Sequence, residues 1–486
     1  METKIGQISE LSIILENKDS LNRNLIRLFS RFGMGRLLNQ LSFKKTQGVS
    51  AGDLVLLLCL FRVNGQSVFQ WYRNSFYHLF ESGKNCFYRF LSRPDIDWRS
   101  LLYKVSLSFK RQIQRDKEFS KVASKAPCCF IIDDTFLEKT GCCIEHVSRV
   151  FDHVSGSCKL GFKLLLLAFF DGTSTIGCDF TLHREKGKKG DFGLSKEIRK
   201  KHYRKHTPQA SAGHIRRKES DRSKIQMALS MLRRAWKHGL HASYVLMDSW
   251  FTSSEIIREI RKTGKGAMHV IGLVKVSNQK YAVKGRMLHT RQIILVKERK
   301  ESHYCRKYNS RYIKVKTFVD AHPVVLFFIR YGQQSRWHLL LSSDTSLNFV
   351  QVFELYQIRW NIEVLFKEAK QYLGLGNCQS RDFDAQIADC TLTFITHTIL
   401  TLHKRFSNYE TLGELFRQVQ KDTLALTLWE RMLPLIAKII EVLSEIIERT
   451  PEELIEQLLT NKGFARKFEY MFACIEQYCP YHEQTA

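Results

Sequence analysis

CCFIIDDTFLE, residues 128–138, is a short apolar run that leads into two adjacent acids. A run of this length, rich in β-branched and aromatic residues and preceded by Pro127, is typical of a buried β-strand. We therefore predict a strand over about 128–135 that carries Asp133 and Asp134. Paired carboxylates in an otherwise apolar strand make this stretch a candidate for chemistry as well as for structure.

The chain after this strand continues in the pattern of a mixed α/β domain. GFKLLLLAFF and TSTIGCDFTLH flank the turn dipeptide Asp171-Gly172, which predicts a hairpin with strands over about 162–170 and 174–182. Hydrophobic periodicity then predicts four more elements in this order: a helix over 224–239, a strand over 243–247 that ends at Asp248, a helix over about 253–263 and a strand within 266–275.

This order of elements predicts the fold class. Strand, strand, strand, helix, strand, helix, strand is the order of a ribonuclease-H-like α/β fold with a mixed sheet, in which the first and fourth strands are neighbours. The acids of the first strand, Asp133 and Asp134, would then converge with Asp248 at the end of the fourth. We expect a functional site at that edge of the sheet.

A later helix supplies a candidate third acid. YQIRWNIEVLFKEAK, residues 356–370, has no Gly or Pro, and its apolar residues fall three and four apart. Beside the apolar stripe lies a polar row formed by Tyr356, Arg359, Glu363 and Lys370. Taken alone, the row fits an amphipathic helix with weak surface ion pairs of ~0.3–0.5 kcal/mol each. Combined with the strand acids, it favours a helix that carries Glu363 to the same site.

Three clustered carboxylates predict bound metal ions. Like charges a few ångströms apart repel and raise one another's pKa, and hard divalent cations remove that conflict. Mg²⁺ suits such a site because it binds a few carboxylates together with phosphate oxygens. Two ions about 4 Å apart would serve phosphodiester chemistry. The ligands would be Asp133 or Asp134, Asp248 and Glu363, and Mn²⁺ would be able to substitute.

The remaining polar groups of the helix would then bind phosphate. Arg359 lies one turn before Glu363 and Lys370 two turns after it. Arginine binds phosphate with a bidentate fork and lysine as a point charge. The Tyr356 hydroxyl would donate to the same backbone.

The charge of the whole chain agrees with a polyanionic partner. Lys and Arg number 76 and Asp and Glu 48, which gives a formal net charge of +28 and a pI near 9.6. Nucleic acid is the leading candidate, an anionic membrane surface the second, and a solvated basic surface the remaining alternative. The very basic stretch 184–224 predicts an exposed loop or arm on a polyphosphate backbone, or a disordered insertion.

Several features predict a soluble cytoplasmic protein. The apolar runs fall short of the ~20 residues that a membrane span needs, and the first twenty residues do not resemble a secretory signal. The 13 cysteines include no Cys-x-x-Cys pair, so reduced, buried thiols are expected.

The chain divides into several regions by composition and predicted secondary structure. Residues 266–345 are β-rich and basic, with RQIILVKERK (291–300) among their apolar stretches. The predicted regions are a helical N-terminal region over 1–120, a catalytic core over 125–265 and 346–400, a β-rich insertion over 266–345, and a helical C-terminal region over 401–486.

At these residues the sequence resembles the insertion-sequence-four family of DDE transposases, which are bacterial cut-and-paste enzymes. The family signature is Tyr, two residues, Arg, three residues, Glu, six residues, Lys, and it is matched by Tyr356, Arg359, Glu363 and Lys370. The stretches IIDDTFLEK and YVLMDSWF resemble the family's two Asp motifs. The resemblance covers about residues 125–400.

The resemblance implies a metal-binding triad of Asp133 or Asp134 with Asp248 and Glu363. The pattern Asp-x-Thr-x-Leu fits Asp133, Thr135 and Leu137, which favours Asp133. It further implies phosphate contacts by the basic residues of the signature helix and Lys367, and a Trp from the insertion, of which Trp337 is a candidate, although a core Trp is the simpler interpretation.

The implied function is a DNA transposase that works on double-stranded DNA at the ends of its element and in the target, close to the bacterial nucleoid. Metal-dependent hydrolysis would free a 3′-hydroxyl that then attacks the target. Pairing of two ends implies a homodimer on DNA, with end binding by 1–120 and dimerisation by 401–486 as family expectations. Two alternatives stay open: an inactive, domesticated DNA-binding protein, and a metal-dependent nuclease of the same fold.

Overall fold

The protein is described from a computed structural model of the chain. The structure describes residues 29–115 except 42, 44–47, 64, 66 and 72–82, residues 127–405 except 153–154, 278 and 333, and residues 411–415, 417, 439–440, 442–447, 449–460 and 463.

The β-strands of the described residues are β1 (Cys129–Glu138), β2 (Ser148–Asp152), β3 (Ser157–Phe170), β4 (Thr175–His183), β5 (Tyr244–Met247), β6 (His269–Val274), β7 (Lys280–Val283), β8 (Arg286–His289), β9 (Ser302–Cys305), β10 (Ser310–Val319), β11 (His322–Tyr331) and β12 (His338–Ser342). The helices are α1 (Met34–Gln40), α2 (Ala51–Val63), α3 (Val68–Trp71), α4 (Asn85–Leu91), α5 (Trp98–Arg115), α6 (Lys196–Lys200), α7 (Ala212–Glu219), α8 (Lys224–Lys237), α9 (Ser254–Thr263), α10 (Thr290–Glu301), α11 (Phe349–Gln357), α12 (Asn361–Leu373), α13 (Phe383–Arg405) and α14 (Pro451–Thr460).

The strands form one large mixed sheet, with β7 and β8 as a separate hairpin. The sheet order is β2-β3-β1-β5-β6-β12-β11-β10-β9, and β4 pairs with β3 as well. β1 is antiparallel to β3 and parallel to β5, and β5 is parallel to β6. The predicted α/β class with a ribonuclease-H-like mixed sheet is confirmed: the first and fourth predicted strands, now β1 and β5, are neighbours. Beyond β6, the strands β12 to β9 extend the same sheet.

The core lies where the sheet meets one long buried helix. β3 is apolar over its whole second half because both of its faces are covered there. Helix α13 packs on β4, α2, α5 and α12, and its residues from Phe383 to Leu402 are almost all buried. Helices α8 and α9 pack against each other, α8 on β3 and β4 and α9 on β6. Ser223 and Ser253 cap α8 and α9.

The predicted signature helix is split. Residues 349–373 form α11, a short 3₁₀ turn over Ile358–Trp360, and α12. Ile362, Leu365 and Ala369 of the predicted apolar stripe are buried, as expected. The 3₁₀ turn lies at Arg359, so the polar row does not follow one regular helix.

Two sequence interpretations are wrong in part. RQIILVKERK lies on helix α10 and not on a strand, because Thr290, Ile293, Ile294 and Lys297 recur at helical spacing on the buried face. The basic stretch 184–224 is not an exposed arm throughout, since it contains α6 and α7. Arg216 and Arg217 of α7 are only 5% and 7% exposed. Arg217 is neutralised there by carboxylates distant in sequence, such as Glu145, 2.7 Å away.

The terminal regions are described only in part. Helices α1 to α5 agree with a helical N-terminal region over the described residues, while 1–28 and 116–126 lie outside them. The predicted helical tail is seen in α14 and in helical residues within 412–417 and 439–447, and most of its other residues lie outside the described ones. Within the described part of the chain, no helix is both long and apolar enough to cross a membrane.

Candidate active site

Strand register brings Asp133 and Asp248 to one edge of the sheet. The parallel pairing of β1 with β5 ends at Ile132 opposite Met247, so the two acids are the next residues of neighbouring strands. Because side chains alternate along a strand, Asp133 and Asp134 point to opposite faces of the sheet. The convergence of one strand acid with Asp248 therefore follows from the register.

Backbone contacts hold the loop that carries Asp248. Its Oδ1 accepts hydrogen bonds from the backbone N–H groups of Trp250, at 2.9 Å, and Phe251, at 3.3 Å. The Thr252 hydroxyl donates to the Asp248 carbonyl at 2.9 Å. The loop packs on Gly272 of β6, where an added Cβ would lie 2.3 Å from Thr252 Oγ1. A glycine is needed there for the loop to lie this close to the sheet.

Arg359 joins the first strand acid to the acid of α12. Its Nη1 donates to Asp133 Oδ2 at 2.9 Å and its Nη2 to Glu363 Oε1 at 2.7 Å. The Arg359 side chain is only 13% exposed, whereas that of Glu363 is 37% exposed. Arg359 is thus a buried bridge between carboxylates 230 residues apart in sequence, and the interpretation as a simple surface pair does not describe it.

The electrostatics at Asp133 favour a cation. Burial raises the pKa of Asp133 to about 7; the Asp134 N–H and Arg359 oppose this rise, and the charges of Asp248 and Asp134 add to it. A carboxyl group in this setting is ionised more readily once a cation binds. The donor set of Asp133, Asp248 and Glu363 consists of carboxylate oxygens, the ligands that Mg²⁺ prefers.

The three acids do not form a finished metal site. Among the residues that the structure describes, no three or more His, Cys, Asp or Glu side chains are grouped closely enough to hold an ion. The Arg359 guanidinium supplies the positive charge between Asp133 and Glu363. The carboxylate oxygens of the three acids fit a divalent cation. In this structure Asp133 and Glu363 are instead neutralised by Arg359.

Asp134 belongs to a different set of contacts. It accepts a hydrogen bond from Lys224 Nζ at 2.6 Å, and Lys163 Nζ lies 3.5 Å away. The Lys224 ammonium also lies over the ring of Trp250, 4.2 Å from its centre. Asp134 therefore positions two lysines, while Asp133 faces Arg359.

A cavity of about 830 Å³ opens over these residues, lined among others by Asp133, Asp134 and Asp248. Five ammonium groups share this lining: Lys159, Lys163, Lys224, Lys275 and Lys370. Partial removal from water and the charge of Lys163 lower the pKa of Lys370. Three of the five lysines pair with acids of the same lining, Lys163 and Lys224 with Asp134 and Lys159 with Asp152. The cavity thus combines carboxylate and ammonium groups.

The other two signature residues are anchored against the site. Burial raises the pKa of the Tyr356 hydroxyl to about 12, and this oxygen has no hydrogen-bond partner of good geometry among the described residues, although Arg359 lies beside it. Lys370 Nζ donates to Thr135 Oγ1 at 2.7 Å and to the Phe136 carbonyl at 3.0 Å. Lys370 would have to change partners to bind phosphate.

Two further predicted residues lie outside this group of contacts. Lys367 is exposed on α12. Trp337 is half-buried against the core, with the Arg330 guanidinium 4.8 Å from the centre of its ring. The core interpretation of Trp337 fits this position.

Sequence reasoning missed Lys163, Lys224 and Trp250. A signal existed for Lys163, because a lysine that interrupts the apolar run of β3 has to find a carboxylate, and it lies opposite Phe136 of β1. Trp250 stands two residues after Asp248 and is 46% exposed. An apolar side chain left exposed beside a candidate catalytic acid is informative, but exposure is not visible in a sequence.

Two sequence models of known families match parts of this chain. The model described as a transposase DDE domain matches residues 200–399, which include Asp248 and Glu363. The model described as a DDE superfamily endonuclease matches residues 56–272, which include Asp133 and Asp248. No curated protein matches the chain significantly. The two matches, each over less than half of the chain, support a DDE-superfamily transposase or endonuclease.

Proposed function

We propose that the protein is a DNA transposase of the insertion-sequence-four type, which cleaves phosphodiester bonds at the ends of its element and joins them to target DNA. The observation that carries the proposal is the link from Asp133 through Arg359 to Glu363, beside Asp248 and a lysine-lined cavity. A surface helix would have no reason to bury its arginine between two carboxylates. The DNA substrate implies work at the bacterial nucleoid, within the cytoplasm.

Asp133, Asp248 and Glu363 would hold the metal, for which we expect two Mg²⁺ ions, with Mn²⁺ as a substitute. Such ions supply Lewis-acid activation of the attacking and leaving oxygens when they are bound. Without a bound metal ion, Arg359 neutralises Asp133 and Glu363. It would release both carboxylates when the cation binds them. Its guanidinium would then be free to hold a phosphate by its two parallel N–H groups.

The choice of Asp133 over Asp134 rests on their different partners. Asp133 faces Arg359 and lies next to Asp248 in register, whereas Asp134 holds Lys224 at 2.6 Å. We assign Asp133 to the metal and Asp134 to the positioning of Lys224. Asp134 would act indirectly, by keeping a phosphate-binding cation in the cavity.

Double-stranded DNA would cross the cavity with its backbone on the lysines. Lys224, Lys275 and Lys370 lie around the acids and would neutralise phosphates on both sides of the scissile bond. Tyr356 on α11 and Lys367 on α12 would add further contacts. Because two element ends have to be joined in one event, we expect a homodimer on DNA, with 1–120 binding the ends and 401–486 pairing the protomers.

A nuclease that cuts without joining is the second candidate. One of the two matching family descriptions is that of an endonuclease, and it covers two of the three proposed metal ligands. The site chemistry of cutting is the same in both candidates. They differ only in whether the freed 3′-hydroxyl attacks a second DNA.

The experiment that tests the proposal uses purified protein with DNA that carries the gene's own flanking sequence. We expect Mg²⁺-dependent cuts at the element boundary, joined products with target DNA, and neither in EDTA. Cuts without joined products would favour the nuclease. Tight DNA binding without cuts in Mg²⁺ or Mn²⁺ would contradict both candidates and favour a domesticated DNA-binding protein.

A further inference from the structure

A second cavity lies on the N-terminal side of the core, away from the acids of the proposed active site. It has a volume of about 230 Å³ and is lined by residues of α5, α7, α8 and α13. Three arginines from three of these helices, Arg99, Arg216 and Arg234, line it. Its rim is open to solvent at His238 and at Ile215, which is 48% exposed. The cavity is large enough for several waters or one small anion.

The charges at its floor do not balance. Arg99 contacts Asp179, at 3.2 Å, and Glu219. Arg234 contacts the same Asp179 at 2.8 Å. These two arginines already neutralise the two carboxylates. Arg216 adds a third guanidinium, with its Nη1 4.0 Å from Asp179 and 3.8 Å from Glu219.

Like Arg234, Arg216 has a buried Nη2 that makes no hydrogen bond of good geometry among the described residues, and its side chain is the more deeply buried of the two. Its Nη1 donates to the Phe180 carbonyl, but its Nη2 is buried and has no hydrogen-bond partner among the described residues. The side chain is 5% exposed. Burial and the charge of Arg99 lower the pKa of Arg216 to about 10. A buried, unsatisfied guanidinium is costly unless something binds it.

The other acids of the cavity wall are already engaged. Asp384 accepts hydrogen bonds from Arg217, at 2.8 Å, and from Lys205. Asp97 caps helix α5 through the Ser100 N–H at 3.0 Å. Neither is shown to compensate Arg216, so the positive charge at the cavity floor calls for an external anion.

We propose that this cavity binds a phosphate-type oxyanion on Arg216, flanked by Arg99 and Arg234. Guanidinium groups bind such ions through paired N–H donors, and three of them converge here. The anion is either a backbone phosphate of DNA or free phosphate. Helix α8 connects the two cavities, since Lys224 lines the first and Arg234 the second, about 15 Å apart along the helix. A DNA backbone that follows α8 would reach both.

The test compares Arg216→Met with Arg233→Met, a neighbouring charge deletion at the surface, where Arg233 is 52% exposed and pairs with Glu259. Thermal unfolding is measured in chloride buffer with increasing inorganic phosphate. We expect phosphate at 100 times its Kd to raise the Tm of the wild type and of Arg233→Met by about 3 °C. Arg216→Met should show no rise. The Tm of Arg216→Met without phosphate should not fall, because Asp179 and Glu219 still balance the charges of Arg99 and Arg234 when the Arg216 guanidinium is removed.

Lys224→Met separates this cavity from the first one. If the phosphate effect is lost in Lys224→Met and kept in Arg216→Met, the anion binds in the other cavity and the proposal is wrong. If the Tm of Arg216→Met in plain chloride is several degrees below that of the wild type, Arg216→Lys is measured in its place. This variant keeps the positive charge but lacks the paired N–H donors of the guanidinium. An unchanged phosphate Kd in Arg216→Lys would show that the paired N–H donors of Arg216 do not bind the ion, and it would overturn the proposal.

A DNA arm identifies the source of the phosphate. If it is a DNA backbone, Arg216→Met should bind duplex DNA several-fold more weakly than Arg233→Met, and the slope of log Kd against log salt should fall by about one. Equal DNA affinity together with a lost phosphate response would assign free phosphate. Equal DNA affinity together with no phosphate response in the wild type would overturn the site. None of these outcomes depends on cleavage activity.

Discussion

Arg359 shows how one side chain can define a site at the residue scale. Its Nη1 and Nη2 satisfy Asp133 and Glu363, which come from a strand and a helix far apart in sequence. An exposed Arg–Glu pair four residues apart would be worth a few tenths of a kcal/mol. Here the second carboxylate and the burial make the arginine a counter-ion for a site that we expect to accept a divalent cation.

The pKa of Asp133 leads to a prediction about stability in EDTA. Because the folded pKa is about 7 and the ordinary value 3.8, the native protein keeps a proton between pH 4 and 7 that the unfolded chain has lost. Native stability therefore falls as the pH rises through that window. For the wild type, this lowers the free energy of unfolding by on the order of 3 kcal/mol from pH 4 to pH 8. Asp133→Asn should not show this fall, because it has no carboxyl group to titrate at this position. Urea unfolding of both proteins at several pH values measures the difference.

Mg²⁺ serves as the control for that experiment. At pH 8, added Mg²⁺ should recover the stability of the wild type by binding the native state, and it should do little for Asp133→Asn. Parallel pH curves for the two proteins, with equal responses to Mg²⁺, would contradict the placement of Asp133 in the metal site.

The two adjacent acids should differ in their effect on cleavage. We expect Asp133→Asn to lower the rate by about 10²-fold or more, because it removes a proposed metal ligand. Asp134→Asn keeps an oxygen for Lys224 and should cost roughly tenfold. Single-turnover cleavage with saturating protein gives both rates. The reverse order would make Asp134 the ligand and Asp133 the positioning residue.

At the scale of elements, we expect the close contact between β6 and the Asp248 loop to tolerate little change. An added Cβ at Gly272 would lie 2.3 Å from Thr252 Oγ1 and 3.1 Å from a Met247 side-chain atom. Gly272→Ala should displace the loop, destabilise the protein by about 1–3 kcal/mol and slow cleavage. Urea unfolding and single-turnover cleavage measure these effects. Gly35→Ala, where an added Cβ meets nothing within 4 Å, is the matched control and should be neutral or mildly stabilising.

Most elements could be predicted from the sequence because their periodicity is local. The strands carrying Asp133 and ending before Asp248, and the helix over 224–237, came within a few residues of their observed bounds. The prediction was wrong for helix α10, because a short run rich in Ile and Val fits either a strand or a buried helix. The 3₁₀ turn at Arg359 could not be predicted, since no Gly or Pro marks it in the sequence.

At the scale of the whole molecule, the net charge of +28 agrees with a DNA partner. The charge alone does not say where DNA binds. The lysines of the cavity give a location, and buried arginines such as Arg217 show that part of the positive charge is internal. Sequence reasoning could count the charges but could not separate those that face solvent from those neutralised by carboxylates far along the chain.

This location leads to a prediction about salt. If the five cavity lysines each neutralise one phosphate, DNA affinity should fall by roughly 10²–10³-fold between 50 and 200 mM salt. Replacing three of them by methionine should lower the slope of log Kd against log salt by about three; the positions are Lys224, Lys275 and Lys370. The matched control replaces three lysines exposed elsewhere: Lys196, Lys280 and Lys316. An equal fall in the control would mean that DNA follows another surface.

Glu363 offers the most direct test of the central claim, that the linked acids form a metal-dependent DNA-cleaving site. Single-turnover cleavage of flank DNA in Mg²⁺ is compared for the wild type, Glu363→Gln and Glu354→Gln, a surface control whose side chain is 43% exposed. We predict that Glu363→Gln loses at least about 10²-fold in rate while its DNA affinity stays within a few-fold, and that Glu354→Gln cuts like the wild type. Wild-type cleavage by Glu363→Gln would contradict the account.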